Sequence, residues 1–260
     1  MPELDLMIYG MTLSHMNQLS TLGWVGQKPG ADQIKVYAGE SSVPQGAAGF
    51  PAPQNMTLVY QGTIWQAVSD FQGGPNLPFH VIAHGGSRED ALNVKPTSVN
   101  NKSADVAQLM NQIAGQMGVQ FENNGVSVKI AYPYLPGSPR AQALALAEHA
   151  GINWTLDRGV LAIWPKTGSR SGATPLISPQ TGMVGYPSQS SVGIKVRTLF
   201  NNDLRIGGQV QIQSSITPAN GTWTISKIEH NLQCLTPNGE WFTTIEAWDP
   251  GKNSSPPISS

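Results

Sequence analysis

Two histidines offer the first candidate chemistry in this chain. His80 and His84 lie four residues apart, which puts both on one face of a helix or a strand. A zinc-protease helix needs Glu directly after its first histidine, and Val81 stands there instead. No cysteine or carboxylate lies near them at ligand spacing, although Glu89 and Asp90 follow, so they are expected to be ordinary strand or turn histidines and no metal is assigned. His15, His149 and His230 are isolated, and His149 suits the last turn of a helix, where a cation meets the negative end of the macrodipole. Nucleophile and phosphate motifs fare no better. Gly85-Gly86-Ser87 is not a Gly-x-Ser-x-Gly elbow, and Pro165-Lys166-Thr167-Gly168 lacks the upstream glycine of a phosphate loop. The 16 acidic residues are scattered, with no local motif for a glycosidase pair. The expectation is a chain that is not an enzyme and needs no cofactor.

Aromatic residues are the other chemistry to weigh. Of seven tryptophans, Trp223, Trp241 and Trp248 fall in predicted strands, where core packing is the default and sugar stacking or subunit contact the alternative. Tyr132-Pro133-Tyr134-Leu135-Pro136 is a stiff aromatic loop that either docks a partner or covers its own module.

The composition favours surfaces over catalysis. Only 12% of the 260 residues are charged, about half the usual share for soluble domains. A net charge of -1 gives no long-range pull toward nucleic acid or anionic lipid. A surface poor in Lys, Glu and Asp is easily desolvated, which suits permanent assembly as well as it suits a neutral soluble protein. Cys234 is the only cysteine, so no disulfide framework forms within one chain, and folding in a reducing cytosol is expected. The first residues carry no signal-peptide pattern, and no apolar run reaches the length of a membrane span.

Elements follow from patterning. Residues 4–9 alternate as a strand, and 12–22 suit a short helix capped by Thr12 or Ser14, with Leu13, Met16 and Leu19 on one face and Gly23 after its end. Strands are predicted at 33–38, 56–61, 63–69 and 78–84, with turns at Gly30, Gly39, Gly62 and Gly73-Gly74-Pro75. Residues 98–167 differ. Ser103 is the expected cap of a helix over 104–117, with Val106, Leu109, Met110, Ile113 and Met117 as its stripe and Gly118 as its stop. An Asn-Gly hairpin is predicted around residues 122–125. Ser138 and Pro139 open a second helix that Gly151 ends, followed by a hairpin around Asp157-Arg158-Gly159. Residues 165–175 look like a linker. The last third is all strand: 192–199, 209–213, 222–231 with a phase shift that marks a bulge, and 241–248 after the turn at Pro237-Asn238-Gly239. The predicted boundaries are 1–97 for a first β unit, 98–167 for a helix–hairpin module, 168–250 for a second β unit and 251–260 for a disordered tail.

The proline- and glycine-rich loop at 174–187 is the candidate contact surface. Pro175, Pro179 and Pro187 restrict its backbone, Gly182 and Gly185 allow close approach, and Tyr186 supplies an aromatic side chain. The loop is expected to be ordered and to pack against a neighbouring subunit or the helix–hairpin module.

Several segments together resemble a known family. They are Tyr9-Gly10-Met11-Thr12-Leu13-Ser14 with Met16-Asn17-Gln18-Leu19-Ser20; Gln120-Phe121-Glu122-Asn123-Asn124-Gly125-Val126; Gly159-Val160-Leu161-Ala162-Ile163-Trp164-Pro165; and the run from Pro175 to Pro187. Dispersed over residues 4–248, they resemble baseplate hub proteins of tailed bacteriophages. The resemblance implies a mainly β fold in which two tail-tube-like β-barrels are joined by a small α+β helix–hairpin domain. It implies a homotrimer, a virion location in the tail baseplate after assembly in the host cytoplasm, and a role linking a six-fold tail tube to a three-fold central spike. Implied partners are further copies of the chain, tail-tube or tube-initiator proteins and the spike, with the tape-measure protein as a further candidate. No sequence-specific nucleic acid and no membrane span are implied. The family leads one to expect an opening hairpin before the first strand; without it the first barrel lacks strands or another subunit completes the sheet. The alternatives are a glycan-binding tail or fibre protein and, less favoured, a tail-associated cell-wall hydrolase.

Overall fold

The computed structural model describes residues 2–20, 32–39, 56–69 and 77–249. Gly23, Gly30, Gly73-Gly74-Pro75 and the tail at 251–260 lie outside the described residues. Of the described residues 43% are strand and 18% helix, with curled half-barrel sheets, so the mainly β reading holds. By contacts it divides into two units. The first holds residues up to Phe121 with Lys129–Leu146 and Leu156–Leu161; the second holds Glu122–Val128, Ala147–Thr155 and the chain from Ala162.

In the first unit, β1 (Glu3–Ile8), α1 (Leu13–Leu19), β2 (Gln33–Gly39), β3 (Met56–Ser69) and β4 (Phe79–His84) come in that order, then the short α2 (Ser87–Ala91) that patterning missed. The four strands form an antiparallel sheet in the order β1-β4-β3-β2. Thr12 caps α1 by accepting from the His15 N–H at 3.3 Å. Only Met16 of its predicted apolar face is buried, while Leu13 and Leu19 are exposed. Gly62 is no turn. One strand runs through it, because a glycine there leaves space for the Tyr60 ring, which any Cβ would strike.

The middle of the chain holds β5 (Thr97–Ser98), β6 (Ala104–Asp105), α3 (Val106–Met117), β7 (Gln120–Asn123), β8 (Lys129–Ile130), β9 (Tyr134–Leu135), α4 (Pro139–Ala150), β10 (Ile152–Asp157) and β11 (Val160–Pro165). The stripe of α3 is buried as predicted, and Gly118 ends it in the left-handed region. Its cap is Asp105, which accepts from the Gln108 N–H at 3.1 Å; Ser103 lies outside because Ala104 and Asp105 pair with Ile130 and Lys129. The Asn-Gly hairpin does not form. Instead β7 joins a sheet of order β10-β11-β7, and β8 pairs with β6. The asparagine side chains explain the difference: Asn123 bonds both the N–H and the C=O of Val126, and Asn124 reaches the Ile163 carbonyl. The second hairpin does form. Arg158 and Gly159 both take positive φ, as a tight two-residue turn requires.

The second unit continues with β12 (Leu176–Ile177), β13 (Ser188–Gln189), β14 (Ile194–Leu199), β15 (Gln209–Ile212), β16 (Gly221–Leu232) and β17 (Trp241–Trp248), in a sheet of order β12-β15-β16-β17-β14-β13. Its four long strands, numbered from the first, run 1-4-3-2, the order seen in β1 to β4. The register matches as well. Thr63 and Ile64 face His84 and Ala83, then one residue bulges; Thr224 and Ile225 face Trp248 and Ala247, then one residue bulges. The Ile64 N–H meets the Asp32 carbonyl at 2.9 Å, and the Ile225 N–H meets that of Gly208 at 2.9 Å. Core positions correspond throughout: Leu6 with Val196, Ile34 with Val210, Ile64 with Ile225, Val81 with Ile245. At one point the filling is exchanged. Tyr60 and Gly62 of β3 stand where β16 has Gly221 and Trp223, so each strand buries one aromatic ring, from positions two residues apart.

Candidate functional site

The loop at 174–187 leaves one edge of the second sheet and reaches the other. Leu176 and Ile177 pair in parallel with Gln211 and Ile212, while Ser188 and Gln189 pair with Lys195 and Ile194. Between them the Thr181 hydroxyl accepts from the Ser178 N–H at 2.8 Å and donates to the Leu176 carbonyl at 2.8 Å, forming a tight turn. Ile177 and Met183 enter the core. The Gly182 carbonyl accepts from the Leu199 N–H at 2.8 Å and the Thr198 hydroxyl at 3.0 Å. At Gly182, φ is +107° and the Leu199 side chain stands 3.3 Å from where a Cβ would be, so both conformation and space favour glycine. Gly185 also takes positive φ, Pro179 is exposed, and Pro175 and Pro187 are half-buried. The loop is thus held by its own unit, and Tyr186, 71% exposed, projects from it beside the exposed Val184.

A polar joint in the second unit fixes the stretch read as a linker. The guanidinium of Arg170, 5% exposed, grips Glu122 through Nε–Oε1 at 3.1 Å and Nη2–Oε2 at 2.8 Å, and donates from Nη1 to the Ile206 carbonyl at 3.3 Å. Asn124 donates to Glu122 at 2.9 Å and accepts from the Ser171 N–H at 2.8 Å. Hydrogen bonding from Arg170 holds the Glu122 carboxyl below the usual carboxylate range; burial opposes this, and Asn124 and the charges of Arg170 and Arg205 reinforce it. Patterning missed Arg170 because a lone arginine in a Ser/Gly-rich stretch looks solvated.

The predicted histidines sit on β4 of the first sheet. His80 Nε2 lies 2.7 Å from Asp5, and His84 Nδ1 lies 3.9 Å from Glu3, across the β1–β4 pairing. No cluster of three metal-ligating side chains occurs among the described residues. Trp65, 57% exposed, packs its edge against His84 with centroids 5.8 Å apart. Trp223 and Trp248 are 5% and 4% exposed and cannot stack on a sugar, whereas Trp241 is half-buried beside Phe200. Tyr132 and Tyr134 are both exposed, on a loop pinned by bonds from Val99 N–H to the Pro133 carbonyl and from Tyr132 N–H to that of Asn101.

A family defined as baseplate hub gp41 matches residues 12–244. The chain belongs to that family. The hub is therefore a structural component of a phage tail, and it works in contact with other tail components. No curated protein matches it. Among solved structures it is similar to the 43 kDa tail protein of prophage MuSo2 from Shewanella oneidensis, at 10% identity and TM-score 0.53 over 86% of this chain and 90% of that one. It is similar to a tail protein from Neisseria meningitidis MC58, at 9% identity and TM-score 0.56 over 75% and 81%. It is also similar to the E. coli c3393 protein, a type VI secretion component described as resembling the T4 tail proteins gp27 and gp5, at 12% identity and TM-score 0.51 over 84% and 69%. At these identities the likeness is one of fold. Among the described residues no helix is long and apolar enough to cross a membrane.

Proposed function

We propose that the hub forms a homotrimeric ring that joins a six-fold tail tube to a three-fold central spike. The observation that carries this reading is the repeated four-stranded sheet: one order, one register, one bulge position, twice in a single chain. Three such chains present six similar sheets, so a six-fold partner meets six comparable surfaces while the ring itself has three-fold symmetry. Heterologous contacts closed by rotation build such a ring. In this reading the repeats are the tube-like barrels, with boundaries near 1–97 and 168–250, and the helix–hairpin module lies between them in sequence. Assembly takes place in the host cytoplasm, and residues 174–187 supply a subunit contact. The test is the mass of the purified full-length protein, together with the symmetry counted around the tail axis in images of the particle. A trimer with three-fold symmetry supports the reading; a monomer or a hexamer in the assembled tail overturns it.

A further inference from the structure

The register between the repeats also shows where they differ. On the solvent side of the first sheet, Met7, Trp65, Val68 and Ile82 stand among Gln66, His80 and His84; the positions of the second sheet that correspond to the four apolar residues hold Arg197, Ser226, Glu229 and Glu246. One repeat is charged or polar at all four places and the other apolar at all four. Met7 and Trp65 are 55% and 57% exposed, and among the described tryptophans Trp65 alone is classed as exposed. The bulge side chain shows the contrast best. In the second repeat Ser226 turns back to bond the Glu246 carbonyl at 3.0 Å, whereas in the first Trp65 stands out over the sheet face. Beside this patch the carboxylates of Glu3 and Asp5 keep 73% and 74% of their side-chain surface in solvent.

We propose that this face of the first repeat, centred on Trp65, docks a three-fold-symmetric protein of the tail that offers an apolar pocket rimmed by Lys or Arg. Three arguments select that occupant. A feature present in one repeat of two occurs three times in a trimeric ring, so it matches a three-fold partner and is invisible to a six-fold one; this step rests on the ring proposed above. Trp65 lies on β3, an interior strand flanked by β4 and β2, so its partner covers the sheet face and does not pair with an edge. The exposed Glu3 and Asp5 favour a cationic rim and repel a phosphate backbone. An exposed indole, here packed on His84, is the usual anchor of such a contact.

The second repeat supplies the test, because its residues already fold at these positions. Full-length hub carrying Trp65→Ser, Gln66→Lys and Ile82→Glu takes on the residues of Ser226, Lys227 and Glu246. It should keep its circular dichroism, melting temperature and oligomeric mass. In a parallel experiment, tails are assembled with a photo-reactive benzoylphenylalanine at position 65 or at position 226. Adducts from position 65 to a tail protein present in three copies, about tenfold above those from position 226 and lost when Gln66→Lys and Ile82→Glu accompany the probe at position 65, support the proposal. Adducts to another copy of the hub, to nucleic acid, equally from both positions, or none at all overturn it. The mass measurement separates failure of this contact from failure of the trimer, since a hub that is not trimeric fails there before any cross-link is read.

Discussion

The guanidinium of Arg170 is almost out of water at 5% exposure, while the Glu122 carboxylate keeps 31% of its side-chain surface exposed. The two partners are therefore not equally replaceable. Removing the charge from Glu122 strands a buried cation, whereas removing it from Arg170 leaves a carboxylate that water can reach. Glu122→Gln should cost about 3 kcal/mol in denaturant unfolding, and Arg170→Met, which keeps most of the packing, about 1–2 kcal/mol. Equal costs would mean that the pair is solvated. The pH dependence has a definite sign. The folded value of Glu122 lies below its unfolded one, so the stabilisation is fully present above about pH 4.3 and is lost as pH falls through the folded value. The stability gap between wild type and Glu122→Gln should stay constant between about pH 6 and 8 and narrow under acid. Of this joint, only the glutamate's place near a turn was legible in the sequence. Its arginine partner lies 48 residues away, and local patterning carries no sign of such a pairing.

Helix α4 shows how a tertiary contact selects an element's details. Ser138 accepts from the Ala141 N–H at 3.3 Å, and Gly151 takes positive φ after the last turn, so both ends were legible. Gln142 was not. It is 0% exposed, its carbonyl accepts from the Thr97 hydroxyl at 2.6 Å, and its amide donates to the Lys95 and Gly137 carbonyls at 3.2 and 2.9 Å. A glutamine within a run of Ala and Leu reads as a solvent position, yet here it is buried and its own polar atoms are met by three partners on neighbouring segments. Gln142→Leu should cost about 2–3 kcal/mol and speed amide exchange near residues 95–99; unchanged exchange there would show that water takes over the bonds. Long alternating strands such as β14 and β17 were read correctly because one face is buried along their length. The Asn-Gly hairpin failed because turn propensity is local, and β7 found a better partner in β11.

At the scale of the molecule, two related β units were expected from the resemblance, but their shared register lay hidden because only strand pairing defines it: Thr63-Ile64 and Thr224-Ile225 are too short a likeness to find by eye. What the repeat does depends on contacts that a single chain does not make, and Tyr186 separates folding from assembly. The residues that anchor its loop are buried, namely Ile177 and Met183, while the Tyr186 ring is 71% exposed. Truncating an exposed ring removes almost no intramolecular packing, so Tyr186→Ala should leave the melting temperature of the isolated chain within about 1 °C. If the loop carries a subunit contact, the same change removes an aromatic anchor and should weaken trimer formation about tenfold, read as the concentration at which the ring dissociates. Met183→Ala is the opposite control. It opens the core and should lower the melting temperature whether or not a ring forms. A Tyr186→Ala protein that loses stability and assembly in equal measure, or loses neither, would remove the loop from the interface and leave ring closure to other surfaces of the two repeats.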